Sequence, residues 1–183
     1  MKKLSILLPL IIMTFMLPAQ EMQKDTLSKK EIRKMKREAE AQNQFMDTYK
    51  LLVDRSFVLQ ADYIENQRLY QPKVKSMINF VMVDSTDFAI QVGSDIHNGR
   101  NGVGGTTLKG KITGYNLTRD EKTKSFSLVI KVDTPFGYGN LFFDISAFGD
   151  ASASVSGMGP RLLIYKGRIV RLKDSFVFLG NSY

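Results

Sequence analysis

The chain has 183 residues, 43% hydrophobic and 24% charged, which excludes a disordered chain or a multi-span membrane protein and suits one compact domain. Its 26 Lys and Arg against 18 Asp and Glu set a formal charge of +8, a mild excess that speaks to acidic surfaces and not to fold. With no Cys, disulfides, thiol nucleophiles, thiolate metal sites and a cysteine lipid anchor are excluded, and one His with no Trp leaves little from which to assemble a catalytic triad.

Met1, Lys2 and Lys3 make a short positive start, and residues 4–17 (LSILLPLIIMTFML) follow without a charge before Pro18, Ala19 and Gln20. This is the layout of a secretory signal peptide over residues 1–19, cleaved near Ala19. The apolar run is shorter than the roughly 20 residues a helix needs to cross a bilayer, and polar residues follow at once. Loss of Lys2 and Lys3 leaves a charge of +6. The expected location is the periplasm or the outside of the cell, where absence of Cys avoids oxidative pairing and where nucleic-acid and ATP-dependent work is excluded by compartment.

Residues 20–53 read as a basic linker and helix. Ser28-Lys29-Lys30-Glu31 has the spacing of a capping box, so the helix should start there. Ile32, Met35, Ala39, Met46, Tyr49 and Val53 recur at steps of three and four, with Phe45 and Leu52 widening the stripe, so the C-terminal end should dock on a core. Lys24, Lys29, Lys30, Arg33, Lys34, Lys36 and Arg37 face only Asp25 and Glu31 and mark a solvated half. The partner this charge implies is an anionic membrane or polysaccharide; the plainer reading is a charged lead into the domain.

From residue 54 to 183 the period changes from helical to alternating. Phe57, Leu59, Ala61 and Tyr63 predict the inward set of a first strand, and the apolar run 77–83 (MINFVMV) followed by Asp84-Ser85-Thr86-Asp87 predicts a hairpin into Phe88, Ile90 and Val92. Leu108, Gly110, Ile112 and Gly114 predict the inward set of the next strand, opposite Lys109, Lys111, Thr113 and Tyr115. Residues 125–133 alternate most cleanly of all, with Phe126, Leu128, Ile130 and Val132 inward. Thr134-Pro135-Phe136-Gly137 turns the chain, and Leu141, Phe143, Ile145 and Ala147 follow, then Ala151, Ala153 and Val155, then Leu163, Tyr165, Gly167 and Ile169. Phe176 to Leu179 reads as a closing strand or a plug over one end.

About eight strands with no helix between them argue for an all-β antiparallel meander. Closing the sheet into a small barrel or half barrel buries one face of every strand and removes exposed edges; a two-sheet sandwich is the alternative. Gly110 and Gly114, placed on the apolar side, imply a sharp bend or a close approach to the backbone.

Residues 57–63 (FVLQADY), 108–115 (LKGKITGY) and 165–169 (YKGRI), in this order behind a leader and a Lys/Arg-rich helix, resemble an exported family of gut-associated Gram-negative bacteria catalogued as a domain of unknown function. The resemblance spans about residues 30–172 and rests on strand patterns and turn glycines. It implies architecture and a periplasmic or surface setting, and brings no catalytic or binding residues.

The loop around Asp95, His97, Arg100 and four glycines is the most unusual stretch. Its amides and Arg100 suit an anion, but no Gly-Lys-Ser/Thr ending leads into a helix, which rejects a phosphate loop. His97 beside Asp95 lacks a spaced nucleophile, so an enzyme is not expected, and no acidic or His spacing suggests a metal. The expected function is a non-enzymatic exported module binding a small molecule or lipid without a cofactor, with His97, Arg100, Gly110, Gly114, Tyr115, Tyr138 and Tyr165 as candidate ligand contacts. A structural partner in envelope assembly is the second reading; a hydrolase built on the His97 loop is the third.

Overall fold

The computed structural model describes residues 28–66, 70–94, 99, 101–157 and 163–181; the leader, Lys24, His97 and Arg100 lie outside them. Helix α1 (Lys29–Val53) opens on the capping box: the Ser28 hydroxyl accepts from the Glu31 amide at 3.3 Å, and the Glu31 carboxylate accepts from the Ser28 amide at 2.7 Å. These bonds hold the Glu31 carboxyl below its usual pKa. Residues 28–40 are exposed throughout, and the helix buries only Phe45, Thr48, Leu51 and Leu52. Docking is confined to the C-terminal end of the three-and-four stripe, as expected: Met46 and Tyr49 pack partly buried against the core beside Phe45 and Leu52, while Ile32 and Met35 in the solvated half, and Val53 in the last turn, stay 53%, 55% and 51% exposed. The barrel decides this, by offering Phe126, which stacks on Phe45 with ring centroids 4.6 Å apart, and the Ala147 carbonyl, which accepts from the Thr48 hydroxyl at 2.9 Å.

Eight strands follow: β1 (Ser56–Asn66), β2 (Phe80–Asp84), β3 (Asp87–Val92), β4 (Thr106–Asp120), β5 (Ser125–Thr134), β6 (Gly137–Ser146), β7 (Asp150–Ser156) and β8 (Leu163–Arg171). Each pairs antiparallel with the next, and β1 also pairs with β8, so the meander closes into a barrel. The sandwich alternative is set aside by that last pairing. Closure removes the two edges an open sheet would present, and the inward residues Phe57, Leu59, Val83, Phe88, Phe126, Leu128, Ile130, Leu141, Phe143 and Tyr165 form one core with Phe45 and Leu52 of the helix capping one end.

Two bulges change which residues face in. In β1 the register slips between Ala61 and Tyr63, so Ile64 takes the inward place and Tyr63, expected inside, turns out. In β4 it slips between Ile112 and Gly114, so Tyr115 enters opposite Ile130, while Gly114 turns out beside the Lys131 stem. The alternation that placed Gly114 inside and Tyr115 outside holds only up to the bulge, which no spacing rule announces.

The barrel has a second buried surface. Val58, Phe80 and Ala89 are fully buried yet lie on the phase opposite the core residues Leu59, Val81 and Ile90, on the outside of β1, β2 and β3. After β8 a short 3-10 turn (Leu172–Asp174) leads into an extended segment, residues 175–181, that runs to this side of the barrel instead of adding a strand or plugging an end. The segment is clipped down by a buried amide. Gln91 donates to the carbonyls of Ile78 and Phe178 at 3.1 and 2.9 Å and accepts from the Thr107 hydroxyl and the Gly180 amide at 2.9 and 2.8 Å, while the Asn101 carbonyl accepts from Asn181.

Candidate functional site

The candidate residues do not converge. Gly110 faces inward, but a Cβ there would lie 2.1 Å from the Asp133 carbonyl oxygen and 2.7 Å from the Phe88 ring, so protein already fills the space. Gly114 faces out. Tyr138 stands on the outer surface opposite Asp133, 76% exposed. Tyr115 and Tyr165 are the two that enter the barrel, and His97 and Arg100 fall outside the described residues.

The two interior phenols are treated differently. Tyr115 donates to the Leu52 carbonyl at 2.6 Å, tying β4 to the last turn of α1, and the Arg55 guanidinium lies over its ring, 4.4 Å from the centroid. Tyr165, between Ile64 of β1 and Ala153 of β7, is fully buried, and its hydroxyl finds no hydrogen-bond partner. A buried hydroxyl without a partner carries a desolvation cost of about 1–3 kcal/mol. Nothing else among the described buried side chains is left in that state, down to Asn79 and Asn101, whose amides bond the Lys75 carbonyl and the Thr107 hydroxyl.

Burial pushes both phenols above their ordinary pKa of about 10, with the Arg55 cation opposing the shift at Tyr115. Below pH 10 both are neutral whether the chain is folded or not. Above it the unfolded chain ionises while the fold resists, so stability falls by about 1.4 kcal/mol per pH unit for Tyr165 and less for the half-buried Tyr115. A urea midpoint series from pH 9 to 11.5 should show this loss beginning near pH 10, and Tyr165→Phe should reduce its slope.

Outside the barrel, among the described residues, shallow grooves open to solvent. One, of about 540 Å³, crosses β5 to β8 and is lined by Ser125, Ser127, Asp144, Ser152 and Lys166. Lys166 is bound to Glu65 at 2.5 Å and Arg168 to Asp150 at 3.2 Å, as expected of a solvated face. Phe136, Tyr138, Phe142 and Phe148, all on or beside β6, are exposed by 42–76%. Among the described residues no group of three or more His, Asp or Glu side chains is placed to hold a metal, and no helix is long and apolar enough to cross a membrane.

Two features escaped sequence reasoning. Gln91 and Thr107 lie on the outer phase of their strands, where nothing local marks them for burial; the sign that could have found them is the apolar character of Phe80, Met82 and Ala89 on that same side, which calls for a cover. The isolation of the Tyr165 hydroxyl has no sequence signal at all.

The architecture places the molecule among closed eight-stranded meander barrels with one helix-capped end. Among solved structures, it is similar to a DUF4251 family protein from Bacteroides eggerthii, with a TM-score of 0.58 at 20% identity over 72% of this chain and 90% of that one. That neighbour comes from a domain-of-unknown-function family of a gut bacterium, in line with the resemblance read from the strand patterns, and the likeness is one of fold. No protein-family model matches the chain, and no curated protein does.

Proposed function

We propose that the protein is an exported, non-enzymatic binding module whose barrel takes a small, largely apolar ligand carrying one polar atom, entering at the end away from α1. The Tyr165 hydroxyl carries this reading: it is a donor and acceptor held inside an apolar barrel with nothing from the protein to satisfy it. Toward the end of the barrel away from α1 the inward side chains of Val92, Leu108, Val155 and Leu163 are only partly buried, in contrast to the sealed end beneath Phe45 and Leu52. Such a site recognises its ligand by one hydrogen bond and an apolar envelope.

Native mass spectrometry of the protein recovered from its own envelope should show a bound small molecule; the bare chain mass alone would count against the reading. Tyr165→Phe sharpens the test. It is expected to stabilise the ligand-free protein by about 1–2 kcal/mol in urea titration, because it removes a desolvated group, and to lose the co-purified mass. A destabilised Tyr165→Phe would mean that the hydroxyl has a partner in the resting protein, and the reading would fall.

The exposed rings of Tyr138, Phe142 and Phe148 favour a second reading, contact with an envelope protein through the outer face of β6.

A further inference from the structure

The half of helix α1 that runs ahead of the barrel is poorly supported. Residues 28–40 are exposed throughout, and the first fully buried position is Phe45. Tertiary packing, the usual source of helix stability, therefore begins only past about 20 Å of helix. The charges add to the cost. Lys29 and Lys30 stand in the first turn, against the positive end of the helix dipole, where only Glu31 of the capping box opposes them. The pairs Lys34–Glu38 and Lys36–Glu40 run in the weaker order, cation before carboxylate, at 3.9 and 4.0 Å between exposed side chains. Within residues 28–40, six Lys and Arg stand against three Glu.

We infer that this half of the helix lies on an anionic lipid bilayer and holds the barrel at its surface. At roughly 100° per residue, Lys29, Ile32, Arg33, Lys36 and Ala39 share one side of the helix, about 160° round from Phe45, Thr48 and Leu52, which dock on the barrel. That side stays exposed to the last turn, through Asn43, Asp47 and Lys50, so a surface can lie along it with the barrel on the far side. Ile32, 53% exposed, is its apolar centre, and Met35, 55% exposed, stands at one edge. Glu31 and Glu38 lie off this side, toward the docking face. Arg37 and Lys30 follow on the flank beyond Arg33, on stems long enough to bring their cations to a headgroup plane. An apolar residue among cations selects the bilayer over other polyanions. Headgroups take the charge and the acyl boundary takes Ile32, to which a polysaccharide offers nothing.

The exported protein freed of its leader, residues 20–183 by mass, should sediment with vesicles of phosphatidylethanolamine and phosphatidylglycerol and not with vesicles of phosphatidylcholine. Binding should fall as salt is raised. The triple variant Lys29→Gln, Arg33→Gln, Lys36→Gln should bind about a hundredfold more weakly, since each cation near an anionic surface counts for about a factor of five. Its barrel melting temperature should not change, because all three side chains are exposed. Ile32→Gln keeps the charge, so it should weaken vesicle binding several-fold while leaving retention on a soluble anionic polysaccharide, dextran sulfate, as it was. Amides of residues 28–40 should exchange more slowly when vesicles are present. No sedimentation at low salt would overturn the inference, as would equal binding to phosphatidylcholine, indifference to the triple variant, or an Ile32→Gln variant held as tightly as the wild type.

Discussion

Replacing Gln91 by Leu is expected to cost about 4 kcal/mol, close to half of what holds a domain of this size together. Gln91 is fully buried, and of its four hydrogen bonds three are buried and the one to Phe178 is partly so. Leucine there leaves the Ile78 and Phe178 carbonyls and the Gly180 amide without this partner, and the Thr107 hydroxyl, which still accepts from the Asn101 amide, with nothing to donate to, at about 1 kcal/mol or more each. The damage is not confined to the site. Residues 175–181 depend on this amide for two of their backbone contacts, so the segment should lift and bare Val58, Phe80 and Ala89. Urea denaturation reads the first effect. Limited proteolysis reads the second, as rapid loss of the C-terminal residues while the barrel core persists. A variant that keeps wild-type stability and a protected C-terminus would show that the clip does not matter.

Gly167→Ala should be as severe for a different reason. A methyl at this position would lie 2.0 Å from the Gln60 carbonyl oxygen and 2.9 Å from the Ala61 Cα, both backbone atoms that cannot swing aside. Gly167 sits opposite Ala61 and Ala151 in the ladder, next to the β1 bulge, where β8 closes the barrel. Relief requires the two strands to part, with loss of neighbouring ladder bonds, and a cost of about 3–5 kcal/mol or outright misfolding follows. Amide hydrogen exchange should lose protection first in β1 and β8. The same substitution at Gly114, on the outer surface against the flexible Lys131 stem, should cost no more than about 1 kcal/mol.

The contrast between these glycines also shows what was legible before the fold was known. Alternation identified β1 to β8 and their core-facing residues from Phe57 to Ile169, because burial of one strand face imposes a period of two wherever the strand is regular. The capping box at Ser28 was equally legible, since its partners are three residues apart. Periodicity fails at the bulges: Tyr63, Gly114 and Tyr115 are each displaced by a single extra residue whose cause is barrel curvature, a property of the closed sheet and not of any window in the chain. It fails again where a strand is buried on both faces, as at Phe80 and Gln91, because the cover comes from a segment almost ninety residues away. The three-and-four spacing of α1 and its docking C-terminal end were visible, but the residues that dock are set by the position of Phe126, on which Phe45 and Tyr49 stack. The candidate site was the least legible part, since the solitude of the Tyr165 hydroxyl is set by what its neighbours lack.

The pairing of β1 with β8 joins the first ribbon of the barrel to the last. A nascent polypeptide that has reached Ser156 holds seven of its eight ribbons and still cannot shut, because the ladder partner of residues 57–66 has not been made. Throughout that interval both borders of the sheet are open, with apolar residues such as Val58 and Phe80 also uncovered until the final segment arrives. Closure therefore waits for β8 and is slow, on the order of milliseconds to seconds for such long-range topology. Any chaperone that attends this chain must hold it until β8 and residues 175–181 are in place.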